Sequence, residues 1–359
     1  MAACLRLARK GEGYVSPNPI VGAVLVRDYK VIGQGFHRRF GGPHAEVHAI
    51  RSAKTSIRGS TLYINLEPCC FTGKTPPCTD LILTSGISRL VVGMKDPNPL
   101  VKGKGIEIIR SAGIKVTIGV LTNECGRLNE SFTKYVSTSL PFITLKIAQT
   151  LDGKIADTRK RSKWITNSTS RQMVHHLRSK QDAVLVGSGT VLTDDPRLTV
   201  RVVRGRNPIR IVLDGRFGCD LRARVFGDAR RTRTIIIAAS RFVASDIKKK
   251  NELISRGVEI VEMSGKTNGK ISLRRAMTKI ASLGIASILV EGGASVFSSF
   301  LTEHLADKIM LFVSPKILGK GIDVFGNLAP RGIERAIQLE NVSICDMDGD
   351  ILIEAYLHK

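Results

Sequence analysis

Pro43-His44-Ala45-Glu46, then Glu67-Pro68-Cys69-Cys70-Phe71-Thr72-Gly73-Lys74-Thr75-Pro76-Pro77-Cys78: these two stretches decide the reading of the chain. One imidazole, His44, and two thiolates, Cys69 and Cys78, make a three-ligand zinc set whose fourth position stays open for water. Two thiolates offset the formal charge of the ion, yet it remains a Lewis acid toward the open position. Water held there ionises near neutral pH, roughly 7 instead of about 16 in bulk. Glu46 supplies the proton acceptor. This donor set points to hydrolytic deamination of an amino-substituted nitrogen heterocycle. His44 and Glu46 lie two residues apart, a spacing that splays side chains in mid-helix, so a helix beginning near His44 is expected. A structural zinc knuckle is the alternative. It would close with a fourth protein ligand, and Cys70, adjacent to Cys69, is ill-placed to reach the same ion.

Around these motifs the totals set bounds. The chain has 359 residues, 43% of them hydrophobic and 5% aromatic, which suits two cored domains. No apolar run reaches the roughly 18 residues a membrane helix needs, and the start of the sequence does not read as a secretory signal. The 7 cysteines are odd in number and unevenly spaced, so reduced thiols and a cytoplasmic protein are expected. Cys4, Cys125, Cys219 and Cys345 read as packing residues. His37, His48, His175, His176, His304 and His358 lack a comparable context and read as surface or satisfied core residues.

The net charge of +24 invites a nucleic-acid partner. The excess is shared by both halves of the chain, however. Runs such as Arg159-Lys160-Arg161 and Lys248-Lys249-Lys250 lack interleaved aromatics on which bases would stack. A solvated basic surface is the favoured reading, and a phosphorylated substrate would benefit from the same field.

Apolar periodicity predicts alternating elements: helix over 2–9, a hairpin over 21–26 and 31–36, helix over 44–53, strand over 61–65, helix over 79–85, strand over 90–93, helix over 106–112 and strand over 115–118. Ser137-Thr138-Ser139-Leu140-Pro141 reads as a break, which places domains at 1–140 and 141–359. Beyond it, strands are expected over 142–147, 183–186, 209–213, 234–238, 288–290, 309–312 and 351–356. Helices are expected over 170–179, 273–283 (capped by Ser272, stopped by Gly284) and 296–304. Both halves read as α/β.

Within the second half, Val290-Glu291-Gly292-Gly293-Ala294-Ser295 joins an apolar strand to a helix. Glycines there let backbone N–H groups approach phosphate oxygens. The pattern lacks the Gly-x-Gly-x-x-Gly fingerprint, and a close helix–strand crossing explains it equally well.

Taken with Pro17-Asn18-Pro19-Ile20-Val21-Gly22, Gly35-Phe36-His37 and Asp96-Pro97-Asn98-Pro99, the His44 to Cys78 motifs resemble the bifunctional deaminase–reductase family of riboflavin biosynthesis. The resemblance continues through Leu145-Lys146-Ile147-Ala148, Leu151-Asp152-Gly153-Lys154-Ile155-Ala156, Ser162-Lys163-Trp164-Ile165-Thr166, Gly187-Ser188-Gly189-Thr190-Val191 and Asp194 to Arg201, so it covers nearly the whole chain. It implies a cytidine-deaminase-like α/β/α sandwich followed by a dihydrofolate-reductase-like α/β domain. The implied reactions are zinc-dependent deamination of a diamino-pyrimidinone ribosylamino phosphate and NADPH-dependent reduction of its ribosyl group to ribityl. A cytoplasmic homo-oligomer acting on a small phosphorylated pyrimidine is expected, with no membrane or nucleic-acid partner.

By the resemblance, His44, Cys69 and Cys78 hold Zn2+ and Glu46 moves the proton. Asn18, Lys74, Asp96 and Asn98 match positions that bind the pyrimidine or its phosphoribosyl tail. Ala148, Trp164, Thr190, Asp194, Gly293, Ala294, Ser295, Val296, Phe297, Ser298 and Ser299 match NADPH positions. Ser162, Arg178, Leu198, Arg201 and Glu291 match substrate positions, and the two arginines suit a phosphate ester. The chain departs from the family at Cys70-Phe71, where Ser-His is usual, and at Gly215, where some members carry serine. Any contact at Gly215 must come from backbone. The competing reading is a nucleic-acid base deaminase with an RNA-binding basic surface. The charge favours it; the eight residues between Cys69 and Cys78 and the second domain oppose it. A non-enzymatic zinc-stabilised binding protein is a third reading, with Phe71 marking lost chemistry.

Overall fold

A computed structural model of the chain describes residues 1–326, 328–329 and 332–358. The chain folds into two compact units, Met1–Leu140 and Pro141–Lys359.

The first unit is built on strands β1 (Gly22–Arg27), β2 (Lys30–Phe36), β3 (Thr61–Leu66), β4 (Arg89–Met94) and β5 (Lys115–Ile118), in the order β2-β1-β3-β4-β5. β1 runs antiparallel to β2 and β3, and β3, β4 and β5 are parallel. Its helices are α1 (Ala2–Ala8), α2 (Ala45–Ser52), α3 (Cys78–Thr84), α4 (Lys104–Ser111), α5 (Thr122–Leu128) and α6 (Glu130–Thr138). Alternation along the strands assigns the two faces. Ala23, Leu25, Leu62, Ile64, Leu90 and Val92 pack with Ala45, Ala49, Ile82 and Ile109 from α2, α3 and α4. Each fully buried aliphatic side chain there contributes roughly 1.5–3 kcal/mol. The opposite face takes α1 and α5, so three layers result.

Close approach fixes where α2 starts. A Cβ on Gly35 would lie 2.4 Å from Ala49 N and 2.6 Å from the Ala45 carbonyl, so only glycine lets α2 lie directly on β2. The break expected at Ser137 begins later, because α6 continues through Thr138 and buries Phe132.

The second unit has strands β6 (Phe142–Thr150), β7 (Lys154–Asp157), β8 (Ala183–Gly187), β9 (Ile209–Leu213), β10 (Thr234–Ala239), β11 (Val258–Met263), β12 (Ser287–Val290), β13 (Lys308–Ser314), β14 (Gly321–Asp323), β15 (Leu339–Met347) and β16 (Asp350–Leu357). Its helices are α7 (Ser168–Lys180), α8 (Ser188–Asp194), α9 (Ser240–Ser245), α10 (Ile247–Ser255), α11 (Leu273–Ser282) and α12 (Ala294–Thr302). The large sheet runs β11-β10-β9-β8-β12-β6-β13-β16-β15, and β14 pairs with β7. From β11 to β13 the pairings are parallel; β16 and β15 close the edge antiparallel. Ser272 caps α11 by accepting from Arg275 N, as its position before an apolar periodic run predicts. Cys4, Cys125 and Cys219 are buried packing residues, whereas Cys345 on edge strand β15 is exposed, contrary to the packing role expected of it. Parallel sheets place ligands beyond the C-terminal ends of their strands, which directs attention to Glu67, Gly187 and Glu291.

Candidate active sites

Chain geometry, more than local sequence, brings the first site together. His44 is the residue before α2, with extended backbone (φ −75°, ψ 170°), and Glu46 is in the first turn. That extended residue removes the mid-helix splay, and both side chains line one cavity of about 210 Å³. Cys69 follows β3, and Cys78 opens α3. His44 Nδ1 lies 3.3 Å from Cys78 Sγ and 3.5 Å from Cys69 Sγ, and the three donor atoms all sit within 4.8 Å of one another. The Cys78 N–H points to Cys69 Sγ at 3.3 Å, a bond that favours thiolate.

The Cys69 thiol is pulled well below its ordinary range, first by a hydrogen bond with Cys78 and also by His44. The same bond, with burial, pushes Cys78 up. Two thiols this close resist ionising together, and a divalent cation between them removes that penalty. The donor set therefore fits zinc. Burial raises the Glu46 carboxyl, with His44 opposing. A buried, raised carboxylate is suited to carrying a proton in both directions.

The same cavity is lined by Asn18, Lys74, Asp96 and Asn98, and by Phe71, which is 37% exposed. Buried asparagines set this wall. Asn65 Oδ1 accepts from Gly22 N at 2.8 Å, and Asn129 Oδ1 accepts from Ile20 N at 2.8 Å. The segment that carries Asn18 is thereby pinned to the sheet. Glu67, 3% exposed, accepts from the backbone N–H groups of Asp96 (3.0 Å), Gly103 (2.9 Å) and Ile106 (3.2 Å). It holds the Asp96–Asn98 wall and is a support, not a ligand. Burial pushes Asp96 up to about 6. Lys74 Nζ stands 4.0 Å over the Phe40 ring.

His37, read from sequence as a surface or satisfied core residue, lines this cavity. Its Nδ1 lies 3.0 Å from the Pro43 carbonyl, so that nitrogen carries the proton, and Nε2 accepts from Asn18 Nδ2 at 3.2 Å. Thr75 Oγ1 lies 3.3 Å from His44 Nε2, a contact that orients the imidazole.

In the second unit, the turn after β12 lies against the end of β8. A Cβ on Gly292 would meet Val186 Cα at 2.7 Å and Gly187 N at 2.9 Å, and one on Gly293 (φ +53°) would lie 3.4 Å from Thr190 Oγ1. The N-termini of α8 and α12 thus flank one cradle lined by backbone N–H groups, which fits a dinucleotide phosphate. Gly293 and Thr190 meet there, while Asp194 ends α8 and Ala294 and Ser295 open α12. Phe297 and Ser298, expected to touch cofactor, are each 3% exposed and face the core, because a helix can turn only one stripe toward a ligand. Ala148 is half-buried on β6 beside Phe312. Ser162 Oγ donates to Asp194 Oδ1 at 3.0 Å. Trp164 is 67% exposed, with the Arg171 guanidinium 4.6 Å from its ring.

Arg178 donates through Nε and Nη2 to Glu291 Oε1 and Oε2 at 2.6 and 2.7 Å, and its Nη1 donates to the Thr199 carbonyl at 3.1 Å. Arg201 Nη1 donates to Thr199 Oγ1 at 3.1 Å. Leu198, expected to touch substrate, is 2% exposed and packs in the core among Val186, Val191 and Val212, so its side chain serves packing and a substrate contact there would come from its backbone. Lys146, quoted in a motif without a role, lies on β6 where the charges of Glu291 and Arg178 act on it, and burial lowers its pKa. The alternating apolar run hid this inward lysine.

Burial, then Arg178 and Arg201, holds His175 down at about 4, against an ordinary 6.5. Above 6.5 the imidazole is neutral folded or unfolded and contributes nothing. Between 6.5 and about 4 the unfolded chain takes up a proton that the folded chain refuses, so stability falls with pH. Urea midpoints followed by circular dichroism should therefore converge between wild type and His175→Gln as pH falls through that window. Parallel curves would refute the assignment.

These sites and folds define a class: a deaminase domain with a three-ligand zinc site, on one chain with a reductase-type α/β domain. The zinc-binding region of cytidine and deoxycytidylate deaminases matches residues 1–94, and the RibD C-terminal domain matches residues 141–353. The riboflavin biosynthesis protein RibD of Aquifex aeolicus is 43% identical over 354 residues, covering 98% of this chain and 96% of that protein. The RibD of Escherichia coli is 36% identical over 351 residues, covering 93% and 91%. A Thermotoga maritima diaminohydroxyphosphoribosylaminopyrimidine deaminase/5-amino-6-(5-phosphoribosylamino)uracil reductase superposes with a TM-score of 0.87 at 43% identity, covering 100% of this chain and 97% of that one. The chain belongs to the RibD family.

Proposed function

We propose that this chain performs both steps named for its relatives: zinc-dependent deamination of a diamino-pyrimidinone ribosylamino phosphate, then NADPH-dependent reduction of the ribosyl group to ribityl. It is a bifunctional deaminase and reductase of riboflavin biosynthesis. The observation that carries the site assignment is the convergence of His44, Cys69 and Cys78 beside buried Glu46 in a cavity that also holds Asn18, Lys74, Asp96 and Asn98.

His44 Nδ1 and the two Sγ atoms would hold zinc, which when bound lowers the pKa of a water and presents it as a nucleophile. Glu46 takes a proton at a carboxylate oxygen and returns it to the departing amino nitrogen. Asn18 is fixed by neutral His37, so its Oδ1 remains to accept from a pyrimidine N–H. Lys74 extends its ammonium toward the phosphate tail. In the second unit the Gly292–Gly293 turn and the α8 and α12 N-termini would hold NADPH, which supplies the reducing electrons. Arg178, Arg201 and Ser162 position the substrate, and Lys146 delivers a proton to the sugar oxygen as C1 is reduced.

A nucleic-acid base deaminase is not favoured, because the relatives match across both domains. Free cysteines throughout support a cytoplasmic setting. No helix among the described residues is long and apolar enough to cross a membrane. A homo-oligomer is part of the same proposal, supported by Leu339, Val342 and Ile344, which β15 leaves exposed.

The test is one assay with two readouts: the diamino-pyrimidine phosphate as substrate, with ammonia and NADPH followed separately. Chelation should remove about one zinc per chain and stop ammonia release, while NADPH consumption with the deaminated substrate continues. Ammonia release that survives complete zinc loss would overturn the reading.

A further inference from the structure

The C-terminal edge of the large sheet continues past the cofactor cradle onto β9, β10 and β11. Leu213, the last residue of β9, is the register partner of Gly187, after which α8 begins. In Rossmann dinucleotide-binding units the residue just beyond the strand beside the phosphate-binding turn selects the cofactor, a carboxylate for the free ribose 2′-hydroxyl of NADH and an arginine for the 2′-phosphate of NADPH. This sheet lacks that fingerprint but presents the end of β9 in the corresponding place beside β8 and α8. Here the carboxylate is engaged elsewhere. Asp214 is 2% exposed, and its oxygens accept from Gly218 N at 3.0 Å and Cys219 N at 2.8 Å.

The next positions are constrained in the opposite sense. A Cβ on Gly215 would lie 2.0 Å from the Gly269 carbonyl, so no side chain fits there and the 266–270 turn packs directly on the strand end. Arg216 is exposed, and its Nε donates to the Asn268 carbonyl at 2.9 Å. That bond fixes the guanidinium plane and leaves both terminal nitrogens without a partner among the described residues. Lys266 and Lys270 are exposed on the same turn. The nearby carboxylate of Glu262 is engaged by Lys250 at 2.8 Å. A fixed guanidinium fork with two free amino groups is complementary to a phosphate monoester.

We propose that Arg216, braced by the Asn268 carbonyl, reads the 2′-phosphate that separates NADPH from NADH. The inference rests on the reductase reading above and adds to it the residue that sets cofactor choice. Its test is calorimetric titration of the full-length protein with NADPH, NADH and 2′-AMP, with no turnover involved.

Wild type should prefer NADPH. Arg216→Gln should weaken NADPH and 2′-AMP by about ten- to a hundredfold, the scale of a lost charge-assisted pair, and leave NADH affinity unchanged. Arg216→Lys should retain part of the preference. Because Arg216 is exposed, the variant should melt with wild type, and unchanged NADH binding reports an intact cradle. An NADPH-to-NADH ratio that Arg216→Gln leaves intact would overturn the assignment while the reductase reading stands. Wild type binding neither dinucleotide would overturn the reductase reading itself.

Discussion

Glu46→Gln should lower the rate of ammonia release by about 10²–10⁴-fold while zinc content stays at the wild-type level. Glutamine keeps the shape and nearly the volume of the side chain, and at 3% exposure it displaces no solvent. What it loses is the ability to take a proton at one moment and return it at the next. The wild-type carboxyl is raised by burial and lowered by His44, so its two protonation states lie closer in energy than for a carboxylate in water. Glu46→Asp, one methylene shorter, should keep part of the activity, because the group still titrates but no longer reaches the same point. The same preparation, given the deaminated pyrimidine, should consume NADPH at the wild-type rate. Near-normal ammonia release from a zinc-loaded Gln variant would refute the role. Zinc lost along with activity would instead mark Glu46 as a support for the metal site.

Much of this centre was legible because its residue types are chemically costly to bury for any other purpose. A histidine and two cysteines at helix and strand ends, with a carboxylate two residues on, have few structural uses together. The strands beneath them were equally legible, because Ala23, Leu25, Leu62, Ile64, Leu90 and Val92 alternate toward one face. What sequence could not supply was tertiary partnership. His37 acquires its place only because the Pro43 carbonyl accepts a hydrogen bond from its Nδ1–H and Asn18 meets its other nitrogen, and neither contact has a local signature. Glu67 was visible inside the cysteine motif, yet its work, three backbone N–H groups from the 96–106 segment, depends on a loop roughly thirty residues away. Helices α5 and α6 were missed because Thr, Asn and Ser gave them the composition of a linker, and β15 because a strand exposed on both faces has no alternation to read. Leu198, Phe297 and Ser298 show the opposite limit: the resemblance carries a whole stretch of residues to a ligand, while the fold buries these three side chains in the core and leaves their backbone as the part that could reach one.

The second large effect is expected at Arg178 and Glu291. Their side chains are 11% and 8% exposed and meet through both guanidinium donors. Arg178→Met would leave the Glu291 carboxylate desolvated and without its bidentate partner, with Lys146 and Arg201 as cations whose charge still acts on it. Breaking a buried pair from one side typically costs about 3–5 kcal/mol, so urea unfolding of the second unit should shift by that order and NADPH consumption should cease. Stability alone does not separate a structural brace from a substrate clamp, and the double variant Arg178→Met/Glu291→Met does. With both charges removed the uncompensated carboxylate is gone, and a well-packed apolar pair restores much of the lost stability. If the pair serves only the fold, reduction returns with it. If Arg178 positions a phosphorylated sugar and Glu291 holds it for that purpose, the double variant refolds and remains inactive, with NADPH affinity unchanged. Arg178→Lys sharpens the distinction: the charge survives while the planar fork is lost, so KM should rise with stability largely kept. A refolded double variant that reduces substrate at the wild-type rate would remove both residues from the substrate site.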